Sequence, residues 1–184
     1  MTGLPPGRTP GRYAVALVCL GNICRSPMAD VVLSARIAEA GLDDRVSVES
    51  CGTGDWHVGG RMDHRAAATL TTAGYDASRH RAQQLDGSWA DRFDVLLAMD
   101  ESNLAGIRSA TSAVGGAGKR MMLFRAFDPV DPGGEVPDPY YGGDTGFEEV
   151  LAMVERTTDA IVAALVVELA LELGHADDRG SDRS

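Results

Sequence analysis

YAVALVCLGNICRSP, residues 13–27, decides how the chain is read. Its first six residues form an unbroken apolar run, the pattern of a strand covered on both faces. At Cys19 the pattern breaks into a turn-prone Gly21-Asn22 pair, a second thiol at Cys24, and then Arg25, Ser26 and Pro27. Ser26 and Pro27 read as the N-cap and first residue of a helix that runs to about Ala40, with Gly41 as its stop. In such a turn, successive backbone N–H groups can face inward as an anion nest. The helix N-terminus adds partial positive charge to the same spot. Arg25 brings a planar fork matched to two oxygens of a phosphate, and Ser26 brings a hydroxyl donor. A free thiol, with a pKa of about 8.5, is only a few per cent ionised at neutral pH, and this positive surrounding favours the thiolate. The segment therefore reads as a nucleophile, Cys19, and a phosphate cradle made of Leu20, Gly21, Asn22, Ile23, Cys24, Arg25 and Ser26. The competing reading, an inert thiol buried at a strand end, leaves the arginine and the proline-started helix without a purpose.

Working outward, strand and helix patterns alternate. Val46 and Val48 mark a second strand, followed by a glycine-rich loop at 51–60. A helix over 63–73 is closed by Gly74. FDVLLAM (93–99) reads as a third strand, DESNLAGI as the start of a helix behind an Asp100 cap, and RMMLF (120–124) as a short fourth strand. A loop rich in Pro, Asp and Gly covers 128–146. The last helix spans about 147–173, with an apolar stripe through Val150, Val154, Ile161 and Leu165. Alternation of this kind predicts an α/β domain over 12–173: a central four-stranded parallel sheet with helices on both faces. Residues 1–11 read as a disordered leader and 174–184 as a disordered tail. Ligands of such sheets bind beyond the carboxyl ends of the strands, which brings the loops at 52–61 and 125–145 to the side of Cys19.

The net charge is −10 and Lys119 is the only lysine. No basic face suited to nucleic acid or to an anionic membrane is expected. The polar start reads as no secretory signal, and the apolar stretch at 160–173 carries Glu168 and Glu172 and is too short to span a bilayer. Three cysteines form no paired framework, so a cytoplasmic, reduced protein is expected. Cys19 and Cys24 have four residues between them, but Cys51 and His57, with five between them, make no second pair of zinc-ligand spacing, and Arg25 among them opposes a cation. No metal and no cofactor are expected. GTGDWHVGG (52–60) opens no helix in dinucleotide register, and GGAGKR (115–120) lacks the first glycine and the Ser/Thr of a nucleotide phosphate loop.

CLGNICRSPMAD (19–30) resembles the signature of the low-molecular-weight protein tyrosine phosphatases. GTGDWHVGG, MDESNL (99–104) and VPDPYYGG (136–143) resemble that family's further landmarks in the same order. The similarity spans about 12–173, and the Arg-over-Lys bias suggests a bacterial member. The resemblance implies hydrolysis of phosphotyrosine in proteins through a cysteinyl-phosphate, without a metal. A phenolate leaving group needs a proton, and the 128–146 loop offers Asp128, Asp131, Asp138 and Asp144. Only Asp138 precedes PYYG, so the resemblance makes it the general acid and base. It also implies a pocket rim of Leu20, Trp56, Tyr140 and Tyr141, and a brace for Asn22 from Ser50 and His80. A reversible disulfide with Cys24 would shield Cys19 from overoxidation, and a tyrosine kinase would act on Tyr140 and Tyr141. Two alternatives share parts of this pattern. An arsenate reductase coupled to thioredoxin would need two later cysteines, and none follows Cys51. A silent phosphotyrosine-binding module would lack a catalytic group, and none is missing.

Overall fold

In the computed structural model, which describes residues 3–112 and 120–178, the segment Tyr13–Cys19 is strand β1, with Tyr13 and Val15–Cys19 all buried. It is followed by α1 (Arg25–Glu39), β2 (Val46–Gly52), α2 (His64–Thr72), a single turn α3 (Trp89–Arg92), β3 (Val95–Ala98), α4 (Glu101–Ala110), β4 (Met121–Leu123), a 3₁₀ turn at Phe124–Phe127 and α5 (Asp144–Asp178). The four strands are all parallel, in the order β2-β1-β3-β4. The fold class read from the sequence is the one observed.

β1 is central because both of its faces are apolar. Tyr13, Val15 and Leu17 point to one side and pack with Met28, Val32 and Leu33 of α1 and with Val150, Val154, Ile161 and Leu165 of α5. Ala16 and Val18 point to the other side and pack with Trp89, Phe93, Leu104 and Ile107. This period-two division is what an unbroken apolar strand needs in order to be stable. The chain leaves β1 for β2 on one flank and returns to β3 on the other. Cys19 therefore ends at a topological switch point, where the crevice of an open α/β sheet forms.

Three expectations differ from the structure. Residues 3–11, read as a disordered leader, lie against the sheet and helices. The Arg8 N–H donates to Asp94 Oδ1 at 2.8 Å, and its guanidinium donates to the carbonyls of Ala90 and Asp91. The Tyr13 hydroxyl donates to the Pro5 carbonyl at 2.8 Å. Arg8 supplies the donors that the end of α3 and the buried Asp94 require, a long-range match that local composition does not encode. Second, α5 begins before 147 and runs past 173, so residues 174–178 of the expected tail are helical. Residues 179–184, and most of the GGAGKR stretch, lie outside the described residues. Third, α3 and the 3₁₀ turn were not foreseen, being too short for a helical period to register. Among the described residues no helix is long and apolar enough to cross a membrane.

Candidate active site

The loop after β1 is gripped by its carbonyls. The N–H groups of Thr53, Gly54 and Asp63 donate to the carbonyls of Cys19, Leu20 and Ile23 at 3.0, 2.9 and 2.8 Å. His80 Nε2 lies 2.7 Å from the Asn22 carbonyl and, since that oxygen only accepts, donates to it. A trans peptide sets its N–H opposite its C=O, and no peptide bond among the described residues is cis. The amides of Gly21, Ile23 and Cys24 consequently turn to the inside of the loop. The Asn22 amide already donates to Cys19 Sγ at 3.2 Å.

Asn22 makes this turn possible. It has φ +54°, the one non-glycine residue with positive φ among those described, and Asn tolerates that region. Its Nδ2 donates to Ser26 Oγ at 2.9 Å, and its Oδ1 accepts the Gln83 N–H at 2.8 Å. Gly52, opposite Cys19 in β2, completes the fit: a Cβ there would meet the Leu20 carbonyl oxygen at 2.6 Å.

Ser26 is not the N-cap of α1. The cap position is Cys24, and the helix begins at Arg25, which leaves Ser26 and Pro27 inside its first turn. The first-turn N–H groups have no intrahelical acceptor, so proline is still tolerated there. The Ser26 hydroxyl is directed to the thiol instead, donating to Cys19 Sγ at 3.0 Å.

Of the two expected braces for Asn22, His80 is in place. Burial pushes its imidazole below the usual histidine range, with Arg81 acting in the same direction and the Asn22 carbonyl opposing. Ser50 does not reach Asn22. Its buried hydroxyl makes no well-formed hydrogen bond and lies against the Asp30 carboxyl, which burial pushes up to about 6 while Ser50 and Ser34 work to lower it. Ser50 reaches the loop only through its carbonyl, which accepts from Gln83 Nε2 at 3.4 Å. Gln83 is the brace that sequence reasoning missed, because the bond to Asn22 comes from its backbone.

Arg25 is buried, with Nη1 donating to Asp100 Oδ2 at 2.5 Å and to the Val136 carbonyl at 3.2 Å, and Nη2 donating to Asp138 Oδ2 at 3.0 Å. Burial alone would lower the guanidinium, but Asp100, Cys19 and Asp138 hold it above its ordinary value. Asp100 caps α4, as expected, by accepting the Asn103 N–H at 2.6 Å. Its second role, orienting Arg25, was not read from the sequence.

The four aspartates of the 128–146 loop have separate fates. Asp128 is buried and held by Arg156 and Arg125. Burial works to raise its carboxyl, but those guanidinium groups and the Val130 N–H hold it far below the usual range, which leaves no proton to donate. Asp131 pairs with Arg125 at 3.0 Å, and Asp144 begins α5. Only Asp138 faces Cys19 and Arg25 across a cavity of roughly 280 Å³. Leu20, Trp56, Tyr140 and Tyr141 line the same cavity and are all exposed at its mouth. The two tyrosine rings meet edge to face, 5.0 Å between centroids at 83°. Cys24 lies in the cavity wall, and burial, with Asp63 and Cys19 adding to it, pushes its thiol well up. Cys51 is buried behind the sheet and its thiol is likewise raised by burial. His57, not expected, packs against Gly21 in the same wall.

The profile of the family described as low molecular weight phosphotyrosine protein phosphatase matches residues 14–171. The chain is 45% identical over 155 residues to a low molecular weight protein-tyrosine-phosphatase of Streptomyces coelicolor, covering 83% of this chain and 93% of that protein. It is 42% identical over 143 residues to low molecular weight protein-tyrosine phosphatase A of Mycobacterium tuberculosis, covering 77% and 84%. Its fold is similar to the crystal structure of YfkJ from Bacillus subtilis, with a TM-score of 0.78 at 31% identity, covering 88% of this chain and 99% of that one. With the loop geometry, these matches place the chain in the low-molecular-weight protein tyrosine phosphatase family, metal-independent hydrolases that act on phosphotyrosine through a cysteinyl-phosphate.

Proposed function

We propose that Cys19 is the nucleophile of this phosphatase, Arg25 the phosphate clamp and Asp138 the general acid and base. The observation that carries the assignment is the convergence of the Asn22 N–H and the Ser26 hydroxyl on Cys19 Sγ, with Arg25 and Asp138 on the same cavity. The thiolate attacks phosphorus in line, and the amides and the Arg25 fork hold the equatorial oxygens as charge builds on them. Asp100 and the Val136 carbonyl fix one edge of the guanidinium. The other edge, now shared with Asp138, is the one a phosphate oxygen takes. Asp138 gives its proton to the tyrosine oxygen as the P–O bond breaks. In the second step it takes a proton from water, which attacks the cysteinyl-phosphate and returns Cys19 to the thiolate. Leu20, Trp56, Tyr140 and Tyr141 select an aromatic leaving group, since ring faces and edges pack on a phenyl group.

Three finer assignments belong to this reading. Cys24 is a resolving thiol: peroxide oxidises Cys19 to a sulfenic acid, and Cys24 condenses with it to a disulfide, releasing water. Tyr140 and Tyr141 are acceptors for a tyrosine kinase, supported by the 94% exposure of Tyr141. The protein works in the cytoplasm, supported by three cysteines that are all free. The test of the central assignment is rapid-quench mass spectrometry with a phosphotyrosyl peptide. One added phosphoryl group on Cys19 is expected, and none in Cys19→Ser. An unmodified Cys19 during steady turnover overturns it.

A further inference from the structure

Two loops must meet for this chemistry, one carrying Cys19 and one carrying Asp138, and a single side chain spans them. The Asp63 N–H donates to the Ile23 carbonyl of the phosphate loop at 2.8 Å. The Asp63 carboxylate takes Arg65 in a fork, Oδ1 accepting from Nε at 3.1 Å and Oδ2 from Nη2 at 3.0 Å. It also caps α2 by accepting the Arg65 N–H at 2.9 Å, so backbone and guanidinium are fixed by one acid. Burial works to raise the Asp63 carboxyl, but these bonds hold it below the usual range. From that anchor Arg65 Nη2 donates to the Tyr140 carbonyl at 3.1 Å and Nη1 to the Gly142 carbonyl at 3.5 Å. Its guanidinium lies over the Tyr140 ring at 5.5 Å and over the Phe147 ring at 4.8 Å, and Phe147 is fully buried at the start of α5. The Tyr140 N–H, in turn, donates to Asp138 Oδ1 at 3.1 Å.

We propose that Arg65 is a positioning residue for proton transfer, registering the Asp138–Gly142 segment against the Cys19 loop. The inference rests on Asp138 being the acid. Asp138 has few anchors of its own: its carboxylate is partly exposed, and Arg25 must release it when phosphate arrives. What then keeps the carboxyl over the leaving oxygen is the Tyr140 N–H, and what keeps Tyr140 in place is Arg65. Lysine cannot replace it, since one ammonium cannot fork onto Asp63, reach two carbonyls and sit over two rings at once.

The test is kcat/KM, which reports the steps through departure of the phenol, for a series of aryl phosphates of rising phenol pKa. Arg65→Met and Arg65→Lys are compared with Asp138→Asn and with the double variants. Misplacing the acid costs about 10- to 100-fold on poor leaving groups and about twofold or less on p-nitrophenyl phosphate, whose phenolate needs little protonation. In the Asp138→Asn background the Arg65 effect is expected to vanish, because coupled residues are not additive. Equal losses across the series, or a rise in KM for phosphotyrosine with an unchanged leaving-group slope, overturn the proposal and leave Arg65 as pocket wall only. If Arg65→Met does not fold, as judged by thermal unfolding, Arg65→Lys carries the same comparison. A flat leaving-group response of Asp138→Asn itself would instead remove Asp138 from the acid role, a failure visible before any Arg65 variant is measured.

Discussion

Arg25 Nη2 and Asp138 Oδ2 lie 3.0 Å apart, so the side chains proposed as phosphate clamp and proton donor hold each other. A phosphate dianion competes for the same guanidinium edge. On the proposed mechanism, binding then does two things at once: it satisfies Arg25, and it releases Asp138 from that pair, leaving the carboxylate free to take up the proton that it delivers to the tyrosine oxygen.

Asp138→Ala is therefore expected to lower kcat/KM for phosphotyrosine by about 100-fold or more, the usual worth of a placed general acid. The loss on p-nitrophenyl phosphate is expected to be much smaller. Steady-state assays on the two substrates check this, and equal losses would contradict it.

Asn22 has two separable functions, its left-handed backbone and its side-chain bonds to Ser26 and Gln83. Asn22→Gly keeps the first and removes the second. Asn22→Ala removes both, adding about 1–2 kcal/mol of left-handed strain. Urea unfolding is expected to rank wild type above Gly above Ala, with Ser26 less well oriented and turnover reduced in both variants. Equal stability of the Gly and Ala variants would contradict the backbone part.

The Asp128 carboxylate is fully buried against Arg125 and Arg156. Its native pKa is depressed, so its stabilisation is complete above the unfolded value near 3.9 and is lost as pH falls through the lower native value. Asp128→Asn is expected to cost about 3–5 kcal/mol at pH 7, the range for breaking a buried pair. Unfolding measured at pH 7 and again near pH 3 is expected to show that deficit shrinking at the acid end.

On the proposed role of Cys24 as the thiol that traps the sulfenic acid of Cys19, peroxide is expected to inactivate the wild type in a form that dithiothreitol restores. In Cys24→Ser, recovery is expected to fall as oxidation proceeds past that stage. Activity regained after reductant, against peroxide exposure time, is the measurement. Identical recovery in both proteins would leave Cys24 as a packed thiol.

What the sequence disclosed was local or carried by a motif. The Cys19 loop is local: strand, turn and arginine follow one another, and inward-turned amides are the geometry that such spacing favours. Asp138 was separable from Asp128 only through the PYYG that follows it, because any Asp-Pro pair has the same turn chemistry. Asp100 was legible as a helix cap, yet its bond to Arg25 crosses 75 positions, and no pattern in either segment announces it. Ser26 was misjudged because serine before proline is a strong cap signal, and here the thiol competes for the hydroxyl and wins. Gln83 left no trace at all, since a backbone N–H looks the same in every residue. Arg8 was hidden by the proline and glycine around it, which describe a loose chain unless a partner such as Asp94 is known.

Gly52 has a wider implication. The seven residues from Cys19 to Arg25 keep their curvature only because the neighbouring strand presents bare backbone to them, and alanine there would strike the Leu20 oxygen. An oxyanion receptor of this design is thus not portable as a peptide. Transplanting it into another scaffold requires carrying the adjacent strand along, with hydrogen in the place of a methyl at that one point of contact.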